Sequence, residues 1–256
     1  MIKKCFLILF FSIPFILFSQ KRENYNIIVD YDIYYNTERP NVKSGKLTIN
    51  GLLDKSIFVY GQKGNKDVKI KKGNEISVQF RSSIRFNYFD FKKNVLSSKE
   101  KVINDEFIVK EKIPIINWVL LDEKKSIGDL NVRKAIANYR GRKYIAWYSD
   151  KYQLKFGPWK FSGLPGLIIE IYDETKRYHW IMKSIRKNKT GENDFKIGFD
   201  TGKEISIKEY VVLRYDKKVE LINRSKLPRG TKVEVGKINR NGIELIFEWE
   251  KEKKGH

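Results

Sequence analysis

The sequence predicts a mainly β protein: a curved antiparallel sheet, open or a partial barrel, with about one helix packed on it. A β-sandwich is the alternative arrangement. Three observations lead there. Apolar and polar residues alternate with period two along most of the chain, the mark of half-buried strands. Clusters rich in glycine and asparagine separate those runs and supply turns. One stretch alone, from Ser206, opens with a helix-start signal.

Residues 1–20 follow the plan of a secretory signal peptide. Lys3 and Lys4 form a positive start, Cys5 to Phe18 is apolar apart from Ser12 and Pro14, and Ser19 and Gln20 offer a small and then a polar residue for cleavage. The apolar run is shorter than the roughly 20 residues a membrane-spanning helix needs, and Pro14 would break it as a helix. Export to the periplasm or beyond is expected, with residues 21–256 as a single domain. Cys5, the only cysteine, would leave with the signal and take disulfide, thiolate and cysteine–metal chemistry with it. No later apolar run is long enough to cross a bilayer, so the mature chain is expected to lack a transmembrane segment.

The strands follow in order. Ile27, Val29, Tyr31, Ile33 and Tyr35 share one face of an extended segment, and Asn26, Asp30 and Asp32 take the wetter one. Leu47 and Ile49, Ile57 and Val59, then Ile76, Val78 and Phe80 continue the alternation, with turns expected at Gly61–Asn65 and Lys72–Asn74. Arg85 to Phe91 reads as a strand, with shorter ones at Phe107–Lys110 and Asn117–Leu120. A tight hairpin follows: Ala135, Ala137 and Tyr139 on one arm, Arg140-Gly141-Arg142 as the turn, Tyr144, Ala146 and Tyr148 on the other. Its small residues leave room for something bulky across that face. Leu167, Ile169 and Ile171 open the next strand, Asp173 to Arg177 turns, and Tyr178, Trp180 and Met182 return. Ser206 and Glu209 have capping-box spacing for a helix through Tyr210, Val211, Leu213 and Tyr215. A last strand is expected from Ile243, Leu245, Phe247 and Trp249, with Glu244, Glu248 and Glu250 on its wet face.

Fifty-two Lys and Arg against 31 Asp and Glu give a formal net charge of +21. In a cytosolic chain that excess would point to nucleic acid. For an exported one, the available polyanions are lipopolysaccharide phosphates, acidic polysaccharides and anionic membrane surfaces, so no nucleic acid partner is expected. The lysines are scattered rather than blocked, and net charge speaks to solubility and non-specific binding, not to fold.

One segment is distinctive: Gly157-Pro158-Trp159-Lys160-Phe161-Ser162-Gly163-Leu164-Pro165-Gly166-Leu167-Ile168. Pro165-Gly166 suits a type II turn, with proline fixing the first central φ and glycine accepting a positive second one. Gly157-Pro158 forces another bend. Trp159 and Phe161 are large apolar anchors two residues apart, so the segment reads as an aromatic-pinned turn that sets the register of the following strand.

This segment resembles the signature of the GLPGLI family, secreted proteins of Bacteroidetes-type bacteria named for the motif at Gly163 to Ile168. Trp118, Lys134-Ala135, Gly141-Arg142, Tyr144, Ala146-Trp147-Tyr148 and Gly157 to Phe161 also match the family pattern. Many members carry a cysteine where this chain has Val132, so no role of that cysteine applies here. The resemblance is specific over roughly residues 116 to 185. It implies a secreted β-rich protein and brings no established activity with it.

The chemistry-bearing residues are few. A serine triad would need His179 with Ser149 or Ser162 and a carboxylate such as Asp150, yet His179 falls mid-strand between Tyr178 and Trp180. The other histidine, His256, ends the chain. A zinc site needs three or four Cys, His or acidic ligands, and no metal site is expected. Asp150, Glu170 and Asp173 are the candidates for paired-carboxylate hydrolysis. Glu170 alternates with Ile169 and Ile171, as a wet strand face does, and Asp173 reads as a turn residue. No phosphate-cradling glycine loop precedes a helix, so no cofactor is expected. The expectation is an exported, non-enzymatic protein that binds or carries an envelope lipid, glycan or protein. The alternatives are an envelope hydrolase using Asp150 or Glu170, and a structural partner docking through the Trp159–Phe161 turn.

Overall fold

The computed structural model describes residues 25–61, 85–189, 202–216 and 240–251. Twelve strands form one sheet: β1 (Tyr25–Tyr35), β2 (Asn41–Asn50), β3 (Lys55–Gly61), β4 (Arg85–Asp90), β5 (Val95–Val102), β6 (Asp105–Lys112), β7 (Val119–Ile127), β8 (Leu130–Tyr139), β9 (Arg142–Ser149), β10 (Leu167–Asp173), β11 (Tyr178–Lys189) and β12 (Lys203–Ser206). Their order is β12-β6-β5-β4-β3-β2-β1-β11-β10-β9-β8-β7. Two meanders, β1–β6 and β7–β11, therefore meet where β1 pairs with β11. The sheet stays open, with β12 and β7 as its edges, as the sequence predicts; the sandwich alternative is not what forms. Every pairing is antiparallel except that of β12 with β6, which makes the sheet mixed.

The alternation places the core on one face. Val29, Tyr31 and Ile33 of β1 are buried beside Leu47, Phe58, Ala135, Tyr144, Ala146, Ile171 and Trp180. Gly45 is needed there, because a Cβ would lie 2.3 Å from the Phe58 ring. The Tyr31 hydroxyl donates to the Ile168 carbonyl at 2.6 Å, so burying it leaves no unpaired polar atom. Asn26 departs from the expected wet side: it is fully buried and accepts a 2.9 Å hydrogen bond from Asn50.

The β8–β9 hairpin turns on two residues, Arg140 (φ 46°) and Gly141 (φ 83°), the type I′ geometry whose twist matches the strands. The β10–β11 turn is organised by Asp173, which accepts from the Tyr178 amide (2.7 Å), the Thr175 hydroxyl (2.5 Å) and Arg142 (3.0 Å). The capping box forms as expected: Ser206 caps α1 (Ile207–Val211), and Glu209 reaches back to the Ser206 amide at 2.7 Å. A π turn, Val212–Asp216, continues it. α1 packs Tyr210 and Val211 with Val102, Val109, Ile205 and Phe247.

The expected last strand is corrected. Residues 240–247 make no ladder, and Glu248–Lys251 form a short helix, α2. The amides of Leu245 and Ile246 donate to the Arg140 carbonyl instead, and Glu244, assigned to a wet face, is buried. Residues 1–20, Ile76, Val78, Phe80, Lys72–Asn74 and most of the Gly61–Asn65 turn lie outside the described residues. Among the described residues no helix is long and apolar enough to cross a membrane.

Candidate functional site

The distinctive segment crosses the core face and closes on itself. The Phe161 amide donates to Pro158 (3.1 Å), the Gly163 amide to Lys155 (2.8 Å) and the Leu167 amide to Tyr152 (2.9 Å). Its left-handed residues are Trp159 (φ 52°) and Gly163 (φ 92°). Gly166 has no left-handed φ, so the expected type II turn is not how this glycine is used. A Cβ on Gly166 would lie 2.2 Å from the Ser149 carbonyl oxygen; the residue is small because the backbone runs against the end of β9.

Trp159 and Phe161 are buried, and they fill the space left by the small residues of the hairpin. Phe161 meets Tyr144 at 4.7 Å and Trp180 at 5.3 Å between ring centroids, and Trp159 stacks on Trp180 at 6.1 Å. With both rings in the core, the turn has no aromatic surface for an outside partner. Trp118 fastens the segment from β7's side, its indole donating to Ser162 at 2.9 Å.

Lys160, between the two rings in sequence, leads into a buried charge cluster. Its ammonium lies 3.0 Å from Glu111 of β6 and 3.0 Å from Glu244. Arg140, from the hairpin turn, binds the same two carboxylates and reaches Glu248 of α2 at 3.1 Å. The Arg140 and Lys160 side chains are each 2 % exposed. Burial opposes charge on both, but Glu111 and Glu244 outweigh it and push both groups up. Burial would likewise raise Glu244, yet Lys160 and Arg140 hold its carboxyl down at about 2. This cluster ties four segments distant in sequence: β6, the β8–β9 turn, the signature loop and the C-terminal segment.

Beside the loop lies a pocket of about 240 Å³, walled by Leu154, Phe156, Leu164 and Pro165 and by the ion pair of Asp54 with Lys155, closed at 2.9 Å. Leu52 and Leu53, in the same β2–β3 turn as Asp54, are 44 % and 41 % exposed. The remaining signature residues serve packing: Gly157 admits Ile168, whose Cδ1 would be 2.6 Å from a Cβ, and Leu167 and Ile168 enter the core through β10.

The carboxylate candidates separate. Asp150 is exposed at the end of β9, and Asp173 is the turn organiser described above. Glu170 lies on the outward face, 2.9 Å from His179 and 2.6 Å from Lys125. The His179 hydrogen bond, reinforced by Lys125, holds its carboxyl at about 2. A proton donor in glycoside hydrolysis needs the opposite shift. His179 thus pairs with Glu170, not with Ser149 or Ser162. Among the described residues no group of three or more His, Cys, Asp and Glu is placed to hold a metal ion. Sequence reading missed Glu111 and Glu244 as partners of Lys160, and Arg140 as the second cation on the same carboxylates; a lone lysine between two large aromatic anchors was the available signal.

No family model and no curated protein sequence matches the chain. Two crystal forms of PNGF-II share the fold. One superposes with a TM-score of 0.50 at 17 % identity over 74 % of this chain and 32 % of PNGF-II. The other gives 0.51 at 18 % identity over 74 % and 33 %. The chain therefore spans about a third of the length of that protein. An outer membrane lipoprotein-sorting protein domain from Vibrio parahaemolyticus overlaps at a TM-score of 0.27 and 9 % identity, over 67 % of this chain and 89 % of its own, too loosely to bear on the fold.

Proposed function

We propose that this is an exported protein of the GLPGLI type that binds or carries a component of the cell envelope without catalysing a reaction. The observation that carries the reading is the pocket beside the signature loop. The loop's aromatic residues and Leu164 are buried in the core, and the edge of Leu164 with Pro165 walls a recess of about 240 Å³. Small-ligand sites are recesses that combine apolar walls with a few placed polar groups. Here the lining is as polar as it is apolar, with Asp54, Gln153 and Lys155 beside Leu154, Phe156 and Pro165, and the leucines at 52 and 53 add exposed apolar surface next to it. The signal-like residues 1–20 support export, and the net charge of +21 favours acidic envelope material over neutral ligands.

Native mass spectrometry and solvent extraction of protein purified from the periplasm test the reading. A bound envelope molecule, lost when Gln153→Trp, at an exposed lining position, blocks the pocket, is the expected result. Protein that is clean, and that binds no envelope lipid, glycan or protein when these are added, overturns it. N-terminal sequencing of the same material tests export, with cleavage expected near Ser19–Gln20.

A further inference from the structure

A second group of charges lies on the core face near its β2–β5 end, where the apolar rows run out. Tyr31, Gly45, Tyr60 and Arg85 form one row across β1 to β4, so Arg85 continues the face that Tyr31 and Tyr60 bury. Lys43, opposite Ile33, stands on the same face and sits over the Tyr35 ring at 4.5 Å. Glu100 of β5 lies 3.7 Å from Arg85 and accepts from the Tyr210 hydroxyl at 3.3 Å. Arg214, on the π turn, donates to that hydroxyl at 2.8 Å and lies 5.7 Å from the centroid of Tyr215.

Arg85 and Arg214 thus gather about one carboxylate, Glu100, and Lys43 stands beside them on the same face. Glu100 is largely covered, at 11 % exposure, while Arg85 is 38 % exposed. Lys43 makes no ion pair among the described residues; its neighbour is a ring. Burial, and then repulsion by Arg85, push the Lys43 ammonium down, whereas Arg85, despite burial and the repulsion of Arg214, is pushed up by Glu100 and Tyr60. Of the three, Lys43 is the cation left without an ion pair among the described residues. Guanidinium forks match tetrahedral oxyanions, and an ammonium adds a point charge.

We propose that Lys43, Arg85 and Arg214 form a binding site for a phosphate group, with Tyr60 and Tyr210 as its walls. An excess of two positive charges suits a phosphate dianion better than a single carboxylate. The site deepens the envelope-binding reading by naming a ligand chemistry, but it uses none of the pocket residues, so either site can fail without the other.

The test is titration of the purified protein with inorganic phosphate and, separately, with vesicles of phosphatidylglycerol or phosphatidylcholine, followed by NMR and co-sedimentation. Saturable binding is expected that weakens about tenfold in Lys43→Gln and in Arg214→Gln, the loss of one charge-assisted contact, and falls with added salt. Lys176→Gln, on the β10–β11 turn, should bind as the parent does. Response to inorganic phosphate alone assigns a free phosphate, and response to phosphatidylglycerol but not phosphatidylcholine assigns a lipid headgroup. Lys43→Gln removes no ion pair, so it is expected to fold whatever becomes of Arg214→Gln. No saturable binding of either probe, or binding indifferent to Lys43→Gln and Arg214→Gln, overturns the proposal.

Discussion

Two charge clusters share the core face, and they are built on opposite terms. Beneath the signature loop, Arg140 and Lys160 meet Glu111, Glu244 and Glu248, and the cations are sealed from water. At the β2–β5 end, Arg85 and Arg214 gather about Glu100, Lys43 has the Tyr35 ring instead of an ion pair among the described residues, and Arg85 stays part-open to solvent. Buried charges must be paired, since an uncompensated one costs several kcal/mol. The first cluster obeys that rule and acts as a cross-link. The second does not complete it, which is tolerable where water solvates the cations or a ligand supplies the missing anion. The contrast separates charge that holds the fold from charge kept available.

The sharpest way to break this contrast is to unbalance the sealed cluster. Lys160→Met leaves Glu111 and Glu244, both largely buried, with Arg140 alone. A loss of about 3–5 kcal/mol is expected, the usual cost of removing one partner from a buried ion pair, read as a fall in the urea midpoint. Lys160→Met combined with Glu244→Gln should recover part of the loss, because the two groups are coupled. Additive effects would show that the cluster is not a unit.

Acid should reach the sealed cluster as well. The Glu244 carboxyl is held at about 2 against an ordinary 4.5. A carboxyl depressed by folding contributes stability that is fully present above its unfolded value and is lost as pH falls through its folded one. The window here runs from about 4.5 down to about 2. Glu244→Gln is therefore expected to be less stable at neutral pH but to lose stability less steeply below 4.5. An unchanged slope would mean that Glu244 is not the group the two cations hold.

The two clusters also show what could be read in the sequence. Strands such as β1, β3, β8, β9 and β10 were legible because their inward residues are apolar, so alternation and burial coincide. β5 was not, because Ser97, Ser98 and Lys99 are buried in it; Ser98 receives a hydrogen bond from Asn87 across the ladder (2.9 Å), a partner no local pattern announces. The C-terminal segment failed the other way. Ile243, Leu245, Phe247 and Trp249 alternate like a strand, but Glu244 between them is drawn inward by cations 84 and 104 residues away. The signature was legible as a pinned aromatic turn, whereas its Lys160 depends on Glu111, 49 residues distant. Local periodicity reports apolar burial; it is silent on polar burial, which is decided by distant partners.

A third cluster sharpens the rule at lower stakes. Lys125 and His179 both bind the Glu170 carboxylate, as the sealed cluster's cations share theirs, but on the outward face, with Lys125 38 % exposed. Glu170→Gln should cost about 0–1 kcal/mol, as partly exposed pairs do. If Glu170 carried a hydrolytic activity, any hydrolysis detected would vanish in this variant; undiminished hydrolysis would remove Glu170 from consideration. Because the His179 bond and Lys125 hold it at about 2, Glu170 is ionised throughout the neutral range and has no proton to give there.

The smallest stability effect is expected at the most informative residue. Lys43→Gln removes a cation that has no ion pair among the described residues and is repelled by Arg85. Its loss relieves that repulsion while giving up the Tyr35 ring contact, worth about 0.5–1 kcal/mol where solvent reaches it. The net change should stay within about 0.5 kcal/mol, the range of ordinary surface substitutions, with the urea midpoint nearly unmoved. If instead the chain lost as much as Lys160→Met does, Lys43 would be a structural residue, and the two clusters would differ only in exposure. A side chain that costs almost nothing to remove, has no ion pair among the described residues and still governs phosphate binding has no structural reason to be where it is; its position is then explained by what it binds.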